Sequence, residues 1–437
     1  MLAPTVSNKT STRPPRGQTG RKDRGQGEKR HGLFSLAAPR ARHAFGRARS
    51  ARHGGARHAP GGPGMTDALP LKGRLVLDLS QGIAGPACGM AMAEHGARVI
   101  KVEPPAGDWI RGLGAAAAPG ATAFSLYYNR GKESLTLDLK SEAGRAAALK
   151  LAARADLLIE SGRPGVTEAM GLGFDTVRAL NPGIVYLTIS GFELVGPRAP
   201  DPMVDTYGQA FSGLMSINRD ISGDPVRFGQ PLIDAVTGLY ATQAALAALH
   251  PSERPTEGRR LDISLTQSAA ALMGPKILEW AITGGRSENI NPPAGIYMAS
   301  DRHLALTLVR EAEWAAICRA LGRTEWLEDP RYGSFAARNL HKEDLRAAME
   351  AVFATDTAAA WSARLQAEGV MARPVNDFGD WLAEEQVQAM QAAPERDYGE
   401  SARLPTPRTP SREAFAAASP DAGADTDRIA AEFGLDL

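Results

Sequence analysis

Asp234 stands immediately before the apolar stretch Ala235 to His250, and a carboxylate in that position can act in two ways. As an N-cap it accepts a hydrogen bond from the N2 or N3 amide of the helix that follows; as an anion at a helix start it is kept ionised, and so nucleophilic. A second carboxylate, Asp205, precedes it by 29 residues. The glycines at 82, 85 and 89, with Glu103 beyond them, invite comparison with a dinucleotide-binding turn, in which an acid about 20 residues on holds a ribose. The spacing is not G-x-G-x-x-G, and Pro86 removes one of the amides that would approach a pyrophosphate. A nicotinamide or flavin site is therefore not expected. Cys88 and Cys318 lie far apart with no C-x-x-C or Cys/His spacing, so neither a zinc site nor a disulfide framework is encoded, and a reducing, cytoplasmic setting fits. No metal and no tightly bound cofactor are expected.

The elements that must position these groups are those of an α/β fold. Short, mostly apolar runs bounded by turn residues read as buried parallel strands at 74–79, 97–103, 134–139, 156–160, 184–190 and 260–265. The first two flank the glycine turn and a small-residue helix, a β-α-β unit whose crossover should be right-handed, and a helix over Glu142 to Ala155 follows the third. The expected sheet is open, doubly wound, mostly parallel and Rossmann-like. Beyond Gly284 the texture changes: one strand-like run, His303 to Val309, then amphipathic helices to about Ala393, which read as a second, smaller α+β domain. Leu404 to Pro410 reads as an extended return, and a last helix runs from about Asp425 to Phe433. The expected division is thus a large domain at 65–283, a small domain at 284–393 and a return to the large domain at 394–437.

Composition sets the remaining bounds. Hydrophobic residues at 43% and charged residues at 23% are the balance of a globular protein, and no window holds the roughly 18 consecutive apolar residues of a bilayer span. The net charge of +1 hides an uneven split, since residues 1–64 hold 14 Lys/Arg against Asp23 and Glu28, leaving 36 Lys/Arg against 47 Asp/Glu in 65–437. That first segment, rich in Arg, Gly, Pro and His, has no apolar periodicity and reads as a disordered basic extension. Its best apolar run, Leu33 to Ala38, is too short for a secretory signal. Without aromatic interleaving and on an acidic body, it does not read as a nucleic-acid arm, and Met65 resembles a natural start.

Asp78-Leu-Ser-Gln-Gly-Ile-Ala-Gly85-Pro-Ala, then Gly96-Ala-Arg-Val-Ile-Lys-Val-Glu103-Pro with Gly107, Asp108 and Arg111, resembles the opening of the class III CoA-transferases. That family includes formyl-CoA, carnitine and bile-acid CoA-transferases and the α-methylacyl-CoA racemases. Asn129-Arg-Gly-Lys132-Glu-Ser-Leu-Thr-Leu-Asp-Leu-Lys140 and Ala155-Asp-Leu-Leu-Ile-Glu-Ser-Gly-Arg163-Pro-Gly165 continue the likeness in family order, as do Val204-Asp205-Thr-Tyr-Gly-Gln209 and Glu257-Gly-Arg-Arg-Leu-Asp-Ile-Ser-Leu265. The likeness covers roughly residues 70–437.

The resemblance implies that Asp234, within Pro231-Leu-Ile-Asp234-Ala-Val-Thr-Gly238, is the catalytic carboxylate, passing coenzyme A (CoA) from an acyl-CoA to a carboxylic acid through aspartyl-anhydride and aspartyl-CoA intermediates. By positional match Ala84, Leu137, Lys140 and Arg163 line the CoA path in the large domain and Asp205 lies near its pantetheine end. Arg111 joins them on charge grounds, because an ADP with a 3′-phosphate needs cations. Ser161-Gly162 departs from the family's Asn-Phe or Asn-Tyr, and Ala169 stands where some relatives carry Arg. The implied partners are an acyl-CoA, a small carboxylic acid and a second copy of the chain in an interlocked homodimer, with no nucleic acid and no membrane. Gly284-Gly285 is the nearest candidate for a gating loop. A racemase would need a His before Asp205, where Val204 stands, and no His occurs between His95 and His250. A noncatalytic CoA-binding relative would be expected to lack Asp234.

Overall fold

The computed structural model describes residues 69–220, 223–250, 257–285, 291–398, 403–410 and 417–437; the basic extension and most of the Gly284–Asn289 loop lie outside the described residues. Residues 65–437 form one compact unit. Its centre is a parallel sheet of β1 (Leu75–Asp78), β2 (Arg98–Glu103), β3 (Glu133–Thr136), β4 (Leu157–Glu160), β5 (Val185–Ser190) and β6 (Arg259–Ser264), in the order β3-β2-β1-β4-β5-β6. Every neighbouring pair is parallel. The order reverses between β1 and β4, and a crevice at the carboxyl ends of such a sheet is where ligands bind.

Alternation along the strands builds a core on each face. Val76, Val99, Leu157, Ile159, Val185, Leu187 and Ile189 point to one side, against α1 (Ala84–Glu94), α2 (Leu232–Ala248) and α3 (Leu265–Leu272). Leu77, Ile100, Leu135, Leu158 and Tyr186 point to the other, with the helix Glu142–Ala152. That helix starts where Ser141 Oγ accepts from Gly144 N at 2.9 Å, with Glu142 in its first turn. Helices α1 and α2 cross where α2 has no side chain: a Cβ on Gly238 would lie 2.7 Å from Ala87 Cβ and 2.9 Å from the Ala84 carbonyl oxygen.

The smaller region holds its own core, from Tyr297 to Ala372, on an antiparallel sheet of β7 (Gly295–Met298), β8 (His303–Thr307) and β9 (Met371–Pro374) with β8 in the middle. Only β8 is expected from the sequence; its partners are four residues long and half exposed, with Gly295 and Pro374 at their ends. The return strand Arg403–Pro405 pairs antiparallel with Glu395–Asp397. The final helix, Thr426–Phe433, docks on edge strand β3: Ser134 N donates to Asp425 Oδ2 at 2.9 Å, Thr136 N to Thr426 Oγ1 at 3.1 Å and Gly423 N to Ser134 Oγ at 2.8 Å, while Ile429 enters the core. No described helix is long and apolar enough to cross a membrane.

Candidate active site

The turn from β1 into α1 is built on buried charge. Lys132 Nζ donates to Asp78 Oδ2 at 2.8 Å and to the Pro86 carbonyl at 2.9 Å, and Lys101 Nζ reaches the Ser80 carbonyl at 2.6 Å and Asp108 Oδ2 at 2.9 Å. Asp108 in turn accepts from Gly82 N at 3.1 Å. Each ion is paired and further hydrogen-bonded, the condition under which buried charge is tolerated. Burial draws the Lys132 ammonium down to about 8 against the pull of Asp78. Gly82 has φ of 80° and a Cβ there would fall 2.4 Å from the Trp109 ring, so conformation and space both demand glycine. Gly89 likewise leaves room for Asp78 and Lys132.

Above this turn, across the carboxyl ends of the strands, lies a cavity of about 740 Å³. Ala84, Leu137, Lys140, Arg163 and Asp234 all line it. Lys140 and Arg163 are exposed and neither forms an ion pair among the described residues, which leaves both available to an anionic ligand.

Arg111 is placed differently. It is buried and forms a two-point ion pair with Glu103, Nε to Oε2 and Nη2 to Oε1 at 2.7 Å each, and also donates to the Pro420 carbonyl at 3.1 Å. Burial alone would raise the Glu103 carboxyl, but the guanidinium overrides it and holds Glu103 at about 2. Arg111 is outside the cavity lining; its charge is neutralised within the fold, so it is not a free cation for a phosphate.

Asp205 is also outside that lining, yet it acts on Asp234. Helix α2 begins at Leu232, so Asp234 sits in its first turn and not at the N-cap, which is Pro231 with no capping side chain. The cap comes from Asp205, whose Oδ2 accepts from Ile233 N at 2.8 Å and Asp234 N at 3.4 Å while its Oδ1 accepts from Gln209 Nε2 at 2.6 Å. The expectation that the helix start keeps Asp234 ionised is corrected accordingly. The amides are occupied by another carboxylate, and burial first, then the Asp205 charge, push the Asp234 carboxyl up to about 7.

The sequence reading did not single out Glu160. It ends β4, is 4% exposed, lines the cavity and accepts from Gly162 N at 2.8 Å; burial pushes its carboxyl up to about 7. A Cβ at position 162 would crowd that carboxylate at 3.1 Å, so the glycine there has a local reason. Trp109 and Met203 also line the cavity and carried no sequence signal beyond their apolar type. Among the described residues no cluster of three His, Cys, Asp or Glu is placed to hold a metal ion.

The family model described as CoA-transferase family III matches residues 71–426. An acetyl-CoA:oxalate CoA-transferase of Acetobacter aceti is 33% identical, over 72% of this chain and 84% of that protein. A probable fatty acyl-CoA transferase of Mycobacterium tuberculosis is 30% identical, over 71% of this chain and 83% of that one. Among solved structures, a CAIB/BAIF family protein from Brucella suis superposes with a TM-score of 0.75 at 28% identity, covering 84% of this chain and all of that one.

Proposed function

We infer the chemistry from one premise: the chain belongs to CoA-transferase family III and is an enzyme that transfers coenzyme A. The reading is that CoA passes from an acyl-CoA to a carboxylic acid by way of Asp234. The observation that carries it is the partly buried carboxylate of Asp234, at the start of α2 in the wall of a cavity that also offers Lys140 and Arg163, two exposed cations without an ion pair among the described residues.

In this mechanism an Asp234 oxygen attacks the thioester carbonyl, the C–S bond breaks, and CoA leaves as thiolate from a mixed anhydride. The thiolate then attacks the Asp234 carbonyl carbon, breaking the anhydride C–O bond and releasing the donor acid as carboxylate. An acceptor carboxylate attacks the resulting aspartyl-CoA thioester, expelling the thiolate again, which takes the acceptor's acyl carbon and returns Asp234 to its starting state. No proton, electron or water is consumed overall. Desolvation of Asp234 raises its basicity and hence its nucleophilicity once ionised, and the nucleophilic fraction grows as pH passes about 7. Lys140 and Arg163 would hold the CoA phosphates, and Asp205 would fix the turn that presents Asp234.

Trapping tests this. Incubation with an acyl-CoA followed by hydroxylamine should convert one side chain, Asp234, to a hydroxamate detectable by peptide mass. Modification at Asp205 or Glu160 instead, or none, would remove Asp234 from the mechanism.

The helix Gly274–Thr283 exposes Ile277, Leu278, Trp280 and Ile282. Four exposed large apolar side chains on one helix fit an interface, and we assign it to a second copy of the chain, with a dimeric mass by light scattering as the check.

A further inference from the structure

Two ends of the cavity differ in charge. The phosphate-attracting end is set by Lys140, on the turn after edge strand β3, and by Arg163, in the loop after β4 whose continuation, Met170 and Leu172, packs on the sheet face opposite α2. From β3 to β5 is four strand spacings, about 19 Å at ~4.8 Å each. The reacting end lies at the start of α2, where Ile233 packs with Ile189, Leu265 and Met203. Met203 closes this end tightly: a Cβ on Gly191 would be 2.6 Å from Met203 Cβ, and one on Gly208 would be 3.5 Å from its sulfur.

Of the residues that line the cavity, Ile189, Leu265 and Met203 belong to the apolar cluster that holds Ile233, the neighbour of Asp234. Among the described residues lining the whole cavity the cations are Lys140 and Arg163, whereas the acids number four: Asp138, Glu160, Asp201 and Asp234. Asp201 is the acid on the Met203 side, and the cation next to it, Arg198, is paired to it at 3.0 Å and stacked 5.9 Å from the Phe211 ring centroid, outside the lining. Asp138 and Glu160 belong to the Lys140–Arg163 end, and Asp201 is already neutralised by Arg198. A second carboxylate on the transferred acid would therefore meet the apolar Ile189, Met203 and Leu265 with no free cation among the described lining residues of that end, and a charge set against apolar wall is disfavoured.

We propose that the acids exchanged at Asp234 are monocarboxylic acids with an uncharged, apolar tail, and not dicarboxylic acids; this rests on the CoA-transfer reading above. The tail occupies the Ile189–Met203–Leu265 wall, and the single carboxylate or thioester carbonyl faces Asp234.

The test offers the purified full-length chain acetyl-CoA as donor with hexanoate, butanoate, succinate or glutarate as acceptor, and measures each new thioester by liquid chromatography and mass spectrometry. The expected result is a kcat/KM for hexanoate roughly tenfold or more above that for glutarate. Met203→Arg, which places a cation on the wall, should move that ratio toward glutarate by a similar factor. Equal or better use of succinate or glutarate by the wild-type chain overturns the assignment while leaving CoA transfer standing. Absence of any new thioester from every acid, with CoA binding intact by calorimetry, removes the transfer reading itself and this assignment with it.

Discussion

Replacing Asp234 by Asn should stabilise the protein at alkaline pH. A carboxyl raised from its ordinary value near 3.8 to about 7 in the fold binds its proton more tightly folded than unfolded. Between those two values the folded state therefore holds a proton that the unfolded state has lost, and stability falls as pH rises through the window. The rise corresponds to about 4 kcal/mol, fully felt above pH 7 and absent below pH 4. The amide carries no charge to desolvate, so Asp234→Asn should gain up to about 4 kcal/mol at pH 8 and nothing at pH 4. Since 1 kcal/mol moves the midpoint by about 2–4 °C in chains of 150–250 residues and by less in a larger unit, the expected gain is several degrees. Thermal unfolding of both proteins by circular dichroism from pH 4 to pH 8 reads it directly. A variant equally or less stable at pH 8, or a gap that does not change with pH, would show that the carboxylate is satisfied in the fold. A cap would behave that way, with a loss of about 1 kcal/mol or less on substitution by Asn.

Lys140→Ala and Arg163→Ala should each raise KM for the acyl-CoA several-fold with little change in kcat, the pattern of lost uniform binding, and should leave the thermal midpoint near wild type. Arg111→Ala should do the reverse: it strands buried Glu103, costing about 3–5 kcal/mol of stability, with KM unchanged in the fraction that folds. Gly238→Val drives a side chain into Ala87 and the Ala84 carbonyl; a loss of about 1–3 kcal/mol is expected from the forced separation of α1 and α2, measurable by urea unfolding, and an unchanged midpoint would show that the crossing yields freely.

The parallel sheet was legible because its central strands are buried on both faces and so read as mostly apolar runs, as Leu157–Glu160 and Val185–Ser190 do. Strands β7 and β9 were not, because four half-exposed residues beginning with Gly295 or ending with Pro374 carry no period of their own and exist by pairing with β8. At the site, the family resemblance singled out Asp234, Lys140 and Arg163, but charge pairing did not show. Nothing near Arg111 in the sequence says that Glu103 will turn toward it, and nothing near Asp234 says that a carboxylate 29 residues earlier takes its helix-start amides. Glu160 passed unnoticed because a strand-end acid ordinarily faces water.

The docking of the last helix on β3 carries a consequence for how the chain comes into being. Strand β3 is one edge of the sheet, and the groups that cover its backbone belong to Asp425 and Thr426, with Gly423 on the Ser134 hydroxyl, nearly 300 positions downstream. On a ribosome the other five strands of that sheet are made long before these residues emerge, so the edge stays uncovered through almost the whole of synthesis. An open edge is a template for pairing with a neighbouring chain, and its four-residue length, with Glu133 paired to Arg98 beside it, limits what a nascent neighbour could grip. A chain stopped before Gly423 would keep the interior of the sheet yet retain that open border, and should show itself as loss of soluble yield.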